Sequence, residues 1–481
     1  MVPRLRSYPV DGWADPADAF VALFADAANA VWLDAGPDAD SGRSYLGAGM
    51  RVATSSVAAG EVVVDGPSGL RRRPGSMLDF LSDDLTERGR SEPRTTEPSF
   101  ALGWVGWLGY ESGAAASGVP IATTTGPDAA MLFVDRAIAF DHGTRTIELL
   151  AVDDAESGES EEAWVVRVRR AIGRAAGAAA QYAAAHPVGP PHPAVWRYGD
   201  AEYLRLIAEC QDAIRRGDAY QLCLTNQAVA ETTIDDVALH LRLRAASPAH
   251  HGGLLRIAGV SLVSSSPEQF LAVRSDGLVR TKPIKGTRPR GATVARDVEL
   301  RAELEASEKE RAENVMIVDL MRNDLGRVCE VGSVEVRHLL AVESYAQVHQ
   351  LVSTVEGRLR TGFGAVDAIA ACFPAGSMTG APKLSAMRIL HELEQGERGI
   401  YAGCFGYVGL DGAADLAMVI RSITVRPGLV TIGAGGGITA LSVPEEELDE
   451  VAIKARALLA AAGLIAAGPT ASGNGSGLPN V

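Results

Sequence analysis

Short turns between strand-like runs constrain this chain more than any other feature. From about residue 195 to 465, Val/Ile/Leu-rich runs alternate with helical patterns, and neighbouring runs are joined by turns such as "RSDGL" (274–278) and "LDGAAD" (410–415). A connection that short reverses the chain, so the strands it joins pair antiparallel; a parallel pair needs a crossover of roughly a dozen residues or more. Strands are predicted at 254–257, 260–264, 269–275, 278–285, 404–409, 415–425 and 429–434. Helices are predicted at 199–216, 234–246, 303–322, 365–372, 382–395 and 444–463. The pattern implies an α+β fold, with mainly antiparallel sheets packed against helices.

Residues 1–190 mix strand-like runs ("RVATSSVAAGEVVVDG", 51–66) with the Gly-punctuated "GWVGWLGYESG" (103–113), then an alanine-rich helical stretch over 161–186. The segment "HPVGPPHPAVW" (186–196) holds four prolines, which interrupt helix and inner strand alike. It divides the chain into an N-terminal region, 1–190, joined to the same core, and a main domain, 195–465. The Gly/Ser/Pro-rich end, 466–481, reads as a disordered tail.

The 481 residues are 47% hydrophobic and 22% charged, as in a globular protein, with a formal net charge of −15. So acidic a surface disfavours nucleic acid and anionic membranes, whose binding relies on cationic groups. Five scattered cysteines without a CxxC spacing read as buried thiols in a reducing compartment rather than disulfides or zinc ligands. The N-terminus lacks the apolar core of a signal peptide, and no apolar run reaches the ~18 residues of a membrane span. A cytoplasmic protein with a small-molecule ligand is expected.

Two helical segments carry paired carboxylates. In "ASEKERAENVMIVDLMRNDLG" (306–326), Glu310 and Glu313 share a face; in "LSVPEEELDEVAIKARALL" (441–459), Glu447, Glu450 and Lys454 do. Ser442 and Glu445 are spaced as a capping box. The two pairs are either solvated helix faces or oxygen donors for a hard cation such as Mg²⁺. Two glycine-rich segments, "GAGGGI" (433–438) and "GSMTGAPK" (376–383), fit neither GxGxxG nor the P-loop and are either tight turns or backbone cradles for an anion. Arg421, within the predicted strand "DLAMVIRSITV", pairs with a structural carboxylate or receives a ligand's. Tyr401 could add a hydroxyl donor. His349 taken alone is a structural histidine sooner than an acid catalyst. Lys285, in "TKPIKGTRPR" (281–290), sits in a basic run with Lys282, Arg288 and Arg290 and by itself reads as a surface cation.

Together, "SSSPEQF", "PIKGTRPRG", "ERAENVMIVDLMRNDLG", "VHQLVSTVEG", "CFPAGSMTGAPKLSAM", "YAGCFGYVG", "VIRSITV" and "GAGGGITALSVPEEELDEVAIKARALL" follow the order found in chorismate-utilising enzymes. The resemblance covers about 195–465, and "GWVGWLGYE" is similar to the N-terminal region of the large subunits of anthranilate and aminodeoxychorismate synthases. It implies a large chorismate-binding fold and a Mg²⁺ held by Glu313 and Glu450, with Glu310 and Glu447 in support. Tyr401, Arg421, Gly435 and Lys454 would bind substrate carboxylates, and Gln221, Thr287, Thr379 and Gly380 would line the pocket. Glu268 or His349 would be the general acid for the departing hydroxyl. The family's water-adding members carry a lysine where "YQLCLTN" has Gln221. "PIKGT" resembles the aminodeoxychorismate synthase branch, in which the lysine matched by Lys285 attacks the substrate, whereas anthranilate synthases typically read "PIAGT". By this likeness the chain makes 4-amino-4-deoxychorismate for 4-aminobenzoate and folate, with ammonia from glutamine supplied by a partner amidotransferase subunit. Anthranilate synthase component I and a catalytically silent chorismate-binding subunit are the alternatives.

Overall fold

The computed structural model describes residues 3–37, 39–92, 99–153, 158–345 and 348–467. Two large sheets organise them. The first runs, edge to edge, through Leu5–Val10, Thr146–Val152, Arg136–Asp141, Arg43–Ala48, Ala30–Asp34, His251–Ile257, Val260–Ser266, Ser422–Arg426, Leu429–Ile438, Gln221–Ala230, His192–Trp196 and Leu464–Ala467. The second runs through Ile284–Pro289, Val348–Arg358, Leu278–Thr281, Gln269–Val273, Ala414–Met418, Cys404–Gly409, Gly103–Leu108, Ala129–Val134, Arg51–Ser56, Glu61–Asp65 and Arg71–Pro74. Pairing is antiparallel, as the short turns require, apart from the parallel register of His192–Trp196 with Leu464–Ala467.

Period-2 alternation divides the first sheet's side chains between two cores. Val31, Leu255 and Leu262 point into the core shared with the second sheet. Their neighbours Trp32, Leu254 and Val263 join a second core, beneath helices that include Asp200–Arg215 and Pro444–Ala462. Helix Glu308–Gly326 buries Ile317, Val318, Met321 and Leu325 in the first core. The two acidic helices therefore belong to different layers, and the space between them lies where the layers meet.

Both sheets draw strands from both sides of the proline-rich segment. Trp32 pairs with Leu254 in the first sheet, and Gly106 with Gly406 in the second. The boundary at 186–196 thus separates stretches of sequence and not hydrophobic cores, and His192–Trp196 is itself a strand. Prolines report local backbone geometry, whereas the partition into cores is set by long-range pairing. Gly406 shows how tight that pairing is: its φ is +148° and a Cβ there would collide with the Asp415 carbonyl.

Several expected elements are subdivided. The stretch 303–322 falls in two helices, Val294–Ala306 and Glu308–Gly326, parted at Ser307, whose hydroxyl accepts from the Glu310 amide and caps the second. The strand expected over 415–425 is two strands, Ala414–Met418 and Ser422–Arg426, with Arg421 at the break in the left-handed region (φ +51°). The 278–285 run is likewise split at Lys282 and Pro283. "GAGGGI" is the end of strand Leu429–Ile438, not a turn. Residues 466 and 467 close the last strand, and the rest of the expected tail, 468–481, lies outside the described residues. All five cysteines are free and buried, and no described helix is long and apolar enough to cross a membrane.

Because neither sequence region owns a sheet, polypeptides 1–190 and 191–481 expressed separately are expected to lack cooperative thermal unfolding. A sharp calorimetric transition from either piece alone would contradict the shared-core arrangement.

Candidate active site

Strand Leu429–Ile438 lies beside Gln221–Ala230, with Leu222 opposite Ile438 and Thr225 opposite Gly435. Its glycines leave a surface that other segments occupy. A Cβ on Gly433 would strike the Tyr401 ring, and one on Gly435 would lie 2.5 Å from the Leu224 carbonyl. On Gly436 it would lie 2.9 Å from Glu447 Oε2, and on Gly437 it would strike the Gln221 amide and come within 3.2 Å of Lys285 Nζ. Tyr401, Gln221 and Lys285 thus come from three separate segments to the face of Gly433 and Gly437, and Glu447 comes from a fourth to Gly436 on the helix-covered face. This is the close backbone approach for which glycine is required.

Charge fills the space above that floor. Lys285 Nζ stands 3.6 Å from Glu313, Arg288 3.6 Å from Glu310, Lys309 3.3 Å from Glu447, and Lys454 2.6 Å from Glu450. Each of the four glutamates has one cation. Lys454 also donates to the Gly435 carbonyl at 2.7 Å, fastening its helix to the floor. Ser442 does not cap helix Pro444–Ala462, whose N-cap is Val443 with no side-chain bond; its hydroxyl instead donates to Glu447 at 2.7 Å. The capping-box spacing is present, but the serine is used to orient a buried carboxylate.

Burial would push the Lys285 amine down, yet Glu313, Cys223, Glu268 and Glu450 together hold it above its ordinary value. Burial pushes Glu313 up, against the pull of Lys285. Burial acts the same way on Glu450, but Lys454, with Lys285 and Lys309, outweighs it and keeps that carboxylate below its usual range. Among the described residues no three His, Cys, Asp or Glu side chains cluster as a ready-made metal cage. Mg²⁺ seldom uses one: it takes one or two carboxylates and fills its octahedron with water and substrate oxygens. Glu313 and Glu450, hard oxygen donors from different helices that both act on Lys285, fit that requirement.

Glu268 lies between strands Val260–Ser266 and Gln269–Val273 and is 8% exposed. Burial pushes its carboxyl up to about 7, although Lys285, Ser377 and the Ile284 amide favour the ionised form. It can therefore carry a proton near neutrality, as a general acid must. Gln221 is fully buried, and neither atom of its amide has a hydrogen-bond partner among the described residues. Leaving such a group unpaired costs about 1–3 kcal/mol, which a ligand or water would relieve. Arg421 donates to no carboxylate among the described residues. Its guanidinium is held below its ordinary value by burial, with only Tyr401 and Glu450 opposing. The carbonyl of Arg421 accepts from the Ser265 amide at 3.1 Å, which anchors the kink.

Other expected residues do different work. His349 is 1% exposed and held at both ring nitrogens, 2.8 Å from Ser344 Oγ and 3.0 Å from Asp297. Its partner Asp297 also accepts from Arg290 and from the Gly291 amide. Thr287 is exposed. The Thr379 hydroxyl donates to the Ala375 carbonyl, within its own loop, and Gly380 (φ +141°) lets that loop bridge to Leu222 against the Gln221 carbonyl. Sequence reasoning missed Lys309, Ser377, Ser442 as an orienting group, and Asn314, whose amide donates to the Leu351 carbonyl beside Glu313. Lys309 alone had a local signal, four residues before Glu313.

Residues 42–460 match the family of chorismate binding enzymes. The chain belongs to that family. It is 42% identical over 481 residues to an aminodeoxychorismate synthase of Streptomyces pristinaespiralis, covering 98% of this chain and 66% of that protein's length. To anthranilate synthase component 1 of Streptomyces coelicolor it is 40% identical, over 76% of this chain and 73% of that one. The crystal structure of anthranilate synthase component I from Streptococcus pneumoniae superposes with a TM-score of 0.71 at 28% identity, covering 86% of this chain and 92% of that one. The family assignment agrees with a floor, a carboxylate wall and a buried acid gathered from segments more than 200 residues apart.

Carboxyl-selective NMR of the protein is expected to show the Glu268 signal, identified by its loss in Glu268→Gln, titrating near pH 7. A midpoint near the ordinary carboxylate value would remove it as an acid at neutrality.

Proposed function

We propose that this chain is the chorismate-aminating component of an aminodeoxychorismate synthase, forming 4-amino-4-deoxychorismate. The observation that carries the reading is Lys285 Nζ, placed over Gly437 beside the amide of Gln221. A glutamine cannot deprotonate water, so Gln221 supplies no base for hydration, whereas Lys285 supplies an amine.

In the proposed reaction, Arg421 and Tyr401 receive one substrate carboxylate, with the amide of Gln221 directed at the ligand. Lys285, a cation in the resting site, must first give up its proton to solvent. Its nitrogen then bonds to C2, both ring double bonds shift (C1=C2 to C1=C6 and C5=C6 to C4=C5), and the C4–O bond breaks. Glu268 hands its proton to the departing hydroxyl, which leaves as water; such help is worth ~10²–10⁴-fold. Ammonia next bonds to C4, both double bonds shift back, and the C2–N bond breaks with its electron pair returning to Lys285. Glu268 regains a proton from solvent. Mg²⁺ held by Glu313 and Glu450, with Glu310 and Glu447 behind them, would supply positive charge to the ring carboxylate and the leaving oxygen. Glutamine-derived ammonia would come from a partner amidotransferase subunit, and the product would serve 4-aminobenzoate and folate synthesis.

The similarity to anthranilate synthase component 1 over three quarters of the chain favours a second reading, in which pyruvate is also eliminated and anthranilate forms. Mass spectrometry of the product made from chorismate, ammonium and Mg²⁺ separates the two. The expected product retains the enolpyruvyl group; anthranilate formed without an added lyase would refute the first reading. Lys285→Ala is expected to lower turnover by about two orders of magnitude or more with the fold retained, and undiminished turnover would eliminate the covalent step. The kcat/KM profile should rise with pH and level off at about 7, because Lys285 works neutral and Glu268 works protonated, and the break near 7 should vanish in Glu268→Gln.

A further inference from the structure

The N-terminal motif "GWVGWLGYESG" takes no part in the reaction above, yet its last residues grip two loops of the site. Strand Gly103–Leu108 delivers Gly109, Tyr110 and Glu111 against Arg398 and Gly399. The Glu111 carboxylate, 3% exposed, accepts the Arg398 amide at 2.7 Å on one oxygen and the Gly399 amide at 3.0 Å on the other. The Tyr110 amide donates to the Gly399 carbonyl at 2.9 Å, and its ring centre lies 4.3 Å from the Arg398 guanidinium. Gly109 permits the approach, since a Cβ there would lie 2.9 Å from the Gly399 oxygen. One turn on, a Cβ at Gly113 would lie 2.6 Å from Phe373 and 2.7 Å from Pro374, which lead into the "GSMTG" loop.

Arg398, also 3% exposed, extends the grip inward. It donates to both oxygens of Glu394 at 2.7 Å, to the Met378 carbonyl at 2.7 Å and to the Cys223 carbonyl at 2.9 Å. Glu394 in turn accepts the Thr225 amide at 2.8 Å. One guanidinium thus ties the loop before Thr379 and Gly380 to the strand that carries Gln221. Gly399, whose amide and carbonyl are both held by Tyr110 and Glu111, lies two residues before Tyr401.

We propose that Glu111 is a positioning residue for the substrate-carboxylate site, acting through Arg398 and Gly399 on Tyr401 and on the "GSMTG" loop. The inference rests on the chorismate-binding reading above. Glu111 touches no substrate. It holds two backbone amides that would otherwise be buried without acceptors, so the loop bearing Tyr401 keeps one conformation over Gly433. A preformed loop spares the ligand the cost of ordering it, and the effect belongs in ground-state binding rather than in the chemical step.

The test uses the full chain with chorismate, Mg²⁺ and ammonium chloride, comparing wild type, Glu111→Ala and Glu111→Gln. Loss of charged hydrogen bonds of this kind should raise KM for chorismate on the order of 10- to 100-fold in Glu111→Ala, with kcat changed far less. Glu111→Gln, which keeps one acceptor oxygen, should fall between. Calorimetric chorismate affinity should move with KM. A merely structural role would lower the folded fraction and apparent kcat while leaving KM unaltered, and that result overturns the proposal. If Glu111→Ala does not fold, Glu111→Gln decides by the same criterion. A wild-type chain that converts chorismate, with KM unmoved in the variants, sinks this inference alone. A wild-type chain that neither binds nor converts chorismate removes both.

Discussion

The antiparallel register of Leu429–Ile438 against Gln221–Ala230 governs the rest of this molecule's chemistry. A bare glycine strand has value only if its partner holds it flat, and Gly435 does so against Leu224 with no room for a Cβ. Once the floor is fixed, every side chain against it is placed relative to one backbone. Tyr401 enters from a loop, Lys285 from the edge of the other sheet, Gln221 from the neighbouring strand and Glu447 from a helix. A one-residue slip would exchange Gly437 for Ile438 beneath Lys285 and Gln221 and close the site.

Above the floor the dominant problem is electrostatic. Four carboxylates and four cations share a partly dry volume, and each glutamate is matched by one positive group. Removing one partner of such a buried pair leaves an uncompensated charge, so the set behaves as a unit. The same crowding separates two neighbouring groups by role. Glu268, matched by no ion pair of its own, is pushed toward protonation, while Lys285 is held as a cation until a ligand arrives. The opposite shifts of Glu268 and Lys285 come from how burial and neighbouring charge are balanced at each.

Much of this was legible beforehand, for physical reasons that can be named. Short turns imposed antiparallel pairing, and helical periodicity placed Glu310 with Glu313 and Glu447 with Glu450 on shared faces. What failed were inferences from local pattern to long-range packing. The proline-rich segment looked like a domain boundary, but sheet pairing runs across it. "GAGGGI" read equally as a tight turn or a backbone cradle; it ends a strand whose missing side chains leave room for those of other segments. The Ser442/Glu445 spacing suited a helix cap, yet the hydroxyl had a buried carboxylate within reach. Thr287 lies two residues after Lys285, but the register shift between Ile284 and Thr287 breaks the alternation that would have put both on one face, and His349 is engaged by Ser344 and Asp297.

The amino-acid sequence alone determined the elements, their antiparallel pairing and the residue types available for chemistry, because these depend on periodicity, turn length and side-chain identity over a few residues. Only the tertiary structure decided which of those groups meet. The encounter of Lys285 with Gln221 over Gly437, the matching of each glutamate to a cation, and the hold of Glu111 on the backbone before Tyr401 join segments tens to hundreds of residues apart. Proton affinities are set by burial and by charges within a few ångströms, and no spacing along the chain encodes those distances.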